Sequence, residues 1–438
     1  MAIDTSTPAV VLFSARHGGL GITRTLGRMG VPVYNVDGLR LVPAFKSRYS
    51  KGHFRWDVED GPGKESIAQL AAVAAKIGRR AVLIPTTDAT AMLVANYERE
   101  LSEWFDFPIP GAGLVRKLTS KREMYFLARK LGIPTAETSF PHDRAEVLAY
   151  LETARFPVML KGLFGKRLEK IAGRRMFIVR DRDELLRMYD AYEDRTDPNL
   201  ILQEYIPGGD GTEWMFNGYF NRNSDCLVGY TGRKIRQHPA YTGATSLGIC
   251  LRCDEVDQTT LRLMKDVGYR GIVDVDYRFD ARDRRYKVLD INPRVGATFR
   301  LFVDENGMDV VRAMYLDLTG QKVEASPLRE GRRWIVEDCD LIASFRYMRD
   351  GNLRIKEWLK SLRGIQESAI FALDDPMPAA WMALRNLQIC LDLATSRGSR
   401  RRNRNMGAVQ NTSLQWPRSG PGRPLQETAN EQATHTAN

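Results

Sequence analysis

Three observations predict a chain of mixed α/β and α+β class. An apolar run passes through a glycine-rich turn and helix into a second apolar run, two adjacent strands carry acids on one face, and the closing stretch lacks apolar periodicity. The expected order is a small N-terminal doubly wound βαβ domain over residues 1–112, a larger module over 113–320, a mixed C-terminal extension over 321–395 and a disordered polar, basic tail over 396–438. At 438 residues the chain exceeds one ordinary core, and about 150 residues per domain gives roughly three units.

Composition narrows the function classes. A hydrophobic fraction of 43% and a charged fraction of 27% are those of a soluble globular protein and exclude collagen-like or wholly disordered chains. Residues 1–16 carry no basic leader, and their apolar run at 9–13 is shorter than a signal-peptide core. The most apolar late stretch, residues 379–394, is broken by Arg385, Asn386, Gln388 and Asp392, so no transmembrane segment is expected. Five cysteines in a chain of this length point to a reducing cytoplasm, and the pair Cys250 and Cys253 has no second pair at a zinc spacing. A net charge of +11 fits nucleic acid, a membrane surface or anionic substrates. Arg397, Arg400, Arg401, Arg402 and Arg404 crowd one polar stretch without interleaved aromatics, so a solvated tail is expected and a nucleic-acid partner is not.

The opening unit reads as a strand at residues 10–13, a turn and helix at 18–30 and a strand at 31–36. Gly18, Gly19 and Gly21 do not match the dinucleotide spacing GxGxxG. A helix at 66–77 precedes a buried strand at 81–85 that ends in Thr86, Thr87 and Asp88. Polar residues there face a ligand crevice, or Asp88 caps the next helix.

Ser120 followed by Glu123 predicts a capped helix, with Met124, Leu127, Ala128 and Leu131 at helical spacing. Lys121 then falls in the first turn, where the helix dipole disfavours a cation unless an anion lies close; an ordinary surface lysine is the alternative. Residues 156–162, FPVMLKG, form an apolar strand with Lys161 at its end on the face of Met159, reaching either solvent or an anion. Residues 200–207, LILQEYIP, form a strand running into Gly208, Gly209, Asp210 and Gly211. That segment suits adenine and ribose, or is an ordinary strand and turn.

The strands IVDVDY at 272–277 and YKVLDIN at 286–292 are joined by a polar hairpin. A period of two places Asp274 and Asp276 on one face of the first, and Val288, Asp290 and Asn292 on one face of the second. Carboxylates facing each other across strands repel unless a cation intervenes, and magnesium accepts one or two of them beside phosphate oxygens. Salt bridges to Arg278 or Arg294 are the alternative.

Taken in order, SKREM, PVMLKG, LILQEYIPGGD, VDVDY and KVLDINPR resemble the ATP-grasp superfamily, especially its carboxylate–amine ligases and the carbamoyl-phosphate synthase type, over about residues 113–320. The resemblance implies an ATP-grasp module that binds ATP with Mg2+, or Mn2+ in its place. It makes Lys121 and Lys161 phosphate ligands, Gln203, Glu204, Tyr205 and Ile206 the adenine hinge, Asp210 the ribose acceptor, and Asp276, Asp290 and Asn292 the metal ligands. Arg294 then holds the reacting phosphate, with Lys161 beside it and Arg233 of TGRK as a further anion contact. The implied activity joins a small-molecule carboxylate to an amine through an acyl phosphate, with the N-terminal domain helping to enclose a substrate and a homodimer as a candidate assembly. A kinase on the same fold and a non-catalytic nucleotide-binding protein are the alternatives. Two departures stand out: residues 162–175, GLFGKRLEKIAGRR, replace a shorter Gly- and Ser-rich loop, and aspartate stands at 276 and 290 where many members carry glutamate.

Overall fold

The computed structural model describes residues 3–15, 17–57, 63–209 and 211–384; the expectations for Asp210 and for the tail at 396–438 lie outside the described residues. The first sheet comprises β1 (Ala9–Leu12), β2 (Val33–Asp37), β3 (Ser50–Arg55), β4 (Ala81–Pro85) and β5 (Phe105–Asp106). These strands are parallel and lie in the order β3-β2-β1-β4-β5. All of β1 is buried, as a parallel strand covered on both faces should be. Strand order reverses between β1 and β4, so the C-terminal ends of these two strands form the natural crevice of the domain. The glycines after β1 answer to packing. An added Cβ at Gly19 would fall 2.6 Å from the Ser14 backbone, and one at Gly18 would fall 3.0 Å from Ala297.

A second, four-stranded sheet holds β6 (Thr138–Ser139), β7 (Val158–Gly162), β8 (Met176–Val179) and β9 (Leu200–Glu204) in the order β6-β9-β7-β8, with every pair antiparallel. Leu160 and Leu202 lie opposite each other in its core, with Leu168, Leu185 and Tyr189 from the covering helices. Asp143 and Asp181 cap the helices Arg144–Leu151 and Arg182–Tyr192, each accepting an amide hydrogen bond from the first turn. The segment after Lys161 is also ordered: it forms the helix Gly165–Ala172, which Gly173 ends at a φ of +71°.

The third sheet has seven strands: β10 (Glu213–Phe220), β11 (Cys226–His238), β12 (Ala244–Cys250), β13 (Gly271–Asp280), β14 (Arg285–Asn292), β15 (Arg333–Ile335) and β16 (Ile365–Ser368). Their order is β14-β13-β10-β11-β12-β15-β16. One face packs Val273, Val275 and Tyr277 against the helices Lys121–Lys130 and Asp254–Asp266. The other meets the N-terminal sheet and the helix Val310–Leu318 in a core that joins Val82 and Ile84 to Met215, Phe299 and Met314. The C-terminal stretch thus supplies the last two strands of this sheet. It is also tied to the N-terminal helix His17–Gly27 by the buried Arg24–Asp375 pair at 2.9 Å.

Candidate nucleotide and metal site

On the large sheet, register decides which residues share a face. Asp276 lies opposite Asp290 and Asp274 opposite Asn292, so the two metal-ligand candidates at 276 and 290 meet across β13 and β14, with Asn292 one step along. The expectation for Val288 fails. A bulge at Leu289 pairs Val288 with Tyr277 and turns it into the core on the opposite face. On the other side of β13, Asp276 lies opposite Met215, and Arg278 opposite Glu213.

Lys234 of β11 completes this face. Its Nζ stands 2.9 Å from Asp276 Oδ1 and 3.5 Å from Glu213 Oε2. Burial works against its charge, but Asp276 and then Glu213 hold the ammonium above its ordinary range. Arg233, the residue expected from the sequence, pairs in register with Trp214, which in turn lies opposite Tyr277. It therefore stands on the face away from the acids, since side chains alternate along a strand. The dipeptide Arg233–Lys234 carried the signal, but its phase is set by the strand beside it.

Neither arginine offered as a salt-bridge partner neutralises the acids. Arg278 pairs with Glu213 at 2.6 Å and donates to the carbonyls of Ile206 and Gly208. Arg294 pairs with Asp88 at 3.0 Å and donates to Asn292 Oδ1 at 2.7 Å. Among the described residues Asp290 has no cation within ion-pair distance, and burial and then Asp276 raise its carboxyl above the usual range, with Lys121 acting against them. Asp274, hydrogen-bonded to Asn217 and packed under Gly296, is pushed up to about 6 by burial and by Asp276.

The small sheet supplies the opposite charge. Ser120 caps the helix that starts at Lys121, whose Nζ donates to the carbonyls of Gly162 at 3.0 Å and Leu163 at 3.3 Å. Lys161 Nζ donates to Gln203 Oε1 at 2.6 Å, and Gln203 Nε2 donates to Thr138 at 2.9 Å. Burial, then the neighbouring Lys121, pushes the Lys161 ammonium down to about 8, while Asp290 acts the other way. Lys121 is lowered too, by burial, with Asp290 opposing. The lysines and Asp290 are therefore within electrostatic reach of one another.

The segment linking the two sheets is held from the large one. Glu204 pairs with Lys287 at 2.8 Å and with Arg282 at 3.0 Å, Tyr205 is half-buried, and Ile206 is buried with its carbonyl on Arg278. The first domain reaches the site through Asp88, which sits in the first turn of the helix Asp88–Asn96; Thr87, not Asp88, is the cap. Thr86 turns inward onto the carbonyls of Leu12 and Phe13.

The donor set suits a hard dication. Two facing carboxylates and one amide oxygen leave positions for phosphate oxygens, as magnesium requires. Among the described residues no group of three His, Cys, Asp or Glu side chains is placed to hold a metal.

A family model described as "Carbamoyl-phosphate synthase L chain, ATP binding domain" matches residues 234–324. An N5-carboxyaminoimidazole synthetase from Staphylococcus aureus complexed with ADP superposes with a TM-score of 0.58 at 13% identity, covering 76% of this chain and 82% of that one. The chain has the ATP-grasp fold. The biotin carboxylase domain of a Hydrogenobacter thermophilus 2-oxoglutarate carboxylase, in complex with MgADP, ADP and bicarbonate, shares this fold. Its TM-score is 0.56 at 16% identity, over 75% of this chain and 74% of that one. In sequence, a D-aspartate ligase of Enterococcus faecium (strain Aus0004) is 25% identical over 243 residues, which are 53% of this chain and 58% of the relative. The chain thus spans little more than half the length of that relative. Among the described residues no helix is long and apolar enough to cross a membrane.

Proposed function

We propose that this chain is an ATP-dependent carboxylate–amine ligase that makes an acyl phosphate from a small carboxylic acid and passes the acyl group to an amine. One observation carries the reading: two half-buried lysines and two facing carboxylates lie within electrostatic reach, each set short of counter-charge. A polyanion carrying a divalent cation relieves both at once, and MgATP is such a ligand. The names of the relatives support it: a D-aspartate ligase, a synthetase complexed with ADP and a biotin carboxylase domain in complex with MgADP.

Asp276, Asp290 and Asn292 are the residues that would hold magnesium, which supplies charge neutralisation at the phosphates when bound. Lys121 and Lys161 hold the phosphate chain from the opposite side. A carboxylate is a poor electrophile because attack by an amine would expel oxide. Phosphorylation supplies a leaving group, and Lys161 and Arg294 stabilise the charge that moves onto the transferring oxygens. Arg294 is held for this by Asn292 and Asp88. The residues 203–206 form the adenine side of the site, between the two sheets. A cytoplasmic location and a homodimer belong to the same proposal; sedimentation of the purified protein tests the assembly.

The deciding experiment measures ADP release from MgATP, and from MnATP for comparison, against pooled carboxylates with and without amines. D-aspartate, named by the Enterococcus faecium relative, is included. Release that needs both acid and amine supports the ligase. Release with the acid or a hydroxyl compound alone turns the assignment to a kinase, and nucleotide binding without release turns it to a nucleotide-binding protein.

A further inference from the structure

The helix after β7 lies within residues 162–175, the segment that departs from the resembled family's Gly- and Ser-rich loop, and it brings a cation with it. Arg175 begins the return from the helix Gly165–Ala172 into β8, and its carbonyl accepts the Gly162 amide at 3.2 Å. Gly162 is the residue whose own carbonyl takes Lys121 Nζ at 3.0 Å. The stem of Arg175 lies over Gly165, where an added Cβ would fall 3.4 Å from its Cδ. Its guanidinium lies close enough to lower Lys121 further, after burial. Three cations thus gather at the end of β7: Lys121, Lys161 and Arg175. The partner that Arg175 does have, Glu169 at 2.8 Å, is about half exposed, as is the arginine itself. Such a pair adds little to stability and is readily exchanged.

We propose that Arg175 binds the nucleotide's phosphate chain, leaving Glu169 to do so, and that this helical segment thereby brings a charged side chain to the phosphates. The proposal rests on the MgATP reading above. A guanidinium fits because it presents paired donors to phosphate oxygens, and a long side chain at the mouth of the site can swing between a surface carboxylate and a bound anion.

Calorimetric titration of the full chain with MgATP and with AMP tests it. Arg175→Ala weakens MgATP binding roughly 10- to 100-fold, the loss expected for one charge-assisted contact, and leaves AMP affinity unchanged. Arg175→Lys recovers part of the loss, and Glu169→Gln binds MgATP at least as tightly as the parent. Equal melting temperatures establish that the variants are folded. A parent that binds MgATP and an Arg175→Ala variant that binds it equally well overturn this assignment while leaving the nucleotide reading intact. A parent that fails to bind MgATP overturns both.

Discussion

At the end of β7, Lys161 and the helix-borne Lys121 meet only uncharged oxygens among the described residues, two main-chain carbonyls and one glutamine amide. On the large sheet, Asp276 has Lys234 at 2.9 Å, while Asp290 has no ion-pair partner among the described residues. Both halves hold half-buried charge, but the lysine half is short of anions and the acid half is only half compensated. Burial of an unpaired charge is costly, so neither arrangement is what stability alone would select. On the proposed reading, a ligand here carries its phosphates toward β7 and its metal toward Asp290.

The contrast breaks first at Asp290. Asp290→Asn removes the uncompensated carboxylate, so turnover should fall at least about 100-fold, beyond the losses seen for groups one shell removed from a metal. The protein should melt no lower, because a raised acid is relieved by the change. Near-normal turnover in a less stable variant would instead make Asp290 a structural acid. Lys161→Met attacks the other half and should weaken MgATP binding roughly 10- to 100-fold, as for loss of one charged hydrogen bond. Titration calorimetry on a folded variant measures this, and unchanged affinity would remove phosphate from β7.

A milder probe is pH. Lys161 in the free protein titrates at about 8, so above that pH the site must take up a proton to offer phosphate an ammonium. Affinity for MgATP should then fall by up to about tenfold per pH unit, with proton uptake rising in parallel. The apo protein behaves oppositely. A lysine depressed in the folded state binds fewer protons there than in the unfolded chain, so its contribution to stability rises from about pH 8 toward its ordinary 10.5. Lys161→Met should flatten both trends, and persistence of either in that variant would assign it elsewhere. The smallest effect belongs to Arg233→Ala. Because Arg233 stands with Trp214 and Tyr277 on the far face, affinity and turnover should stay within about twofold of the parent. A larger loss would mean that Arg233 reaches the phosphates after all.

Most of the candidate site was legible because its signals were local. A capped helix start placed Lys121, a strand end placed Lys161, the period of two aligned Asp276 with Asp274, and Arg294 came from the resemblance alone. What failed was phase. Leu289 inserts one residue into β14 and sends Val288 to the wrong side, and the choice between Arg233 and Lys234 depends on which of them faces Asp276 across β10. Neither is written in the strand that carries it, because a bulge and a register are properties of a pair of strands.

By itself, then, the sequence determined the residue types, the elements on which they ride and the spacing of acids and lysines, since these follow from backbone periodicity and capping within about a dozen residues. Only the tertiary structure decided that Lys234 joins the acids, that Asp88 of the first domain holds Arg294, that β15 and β16 complete the large sheet, and that the Arg175 carbonyl takes the Gly162 amide. Those partners are 42 to 206 residues apart in the chain for the two ion pairs alone, Lys234 with Asp276 and Asp88 with Arg294. Contacts at such separations are selected by how whole sheets pack, where burying one continuous apolar face outweighs the preference of any single side chain.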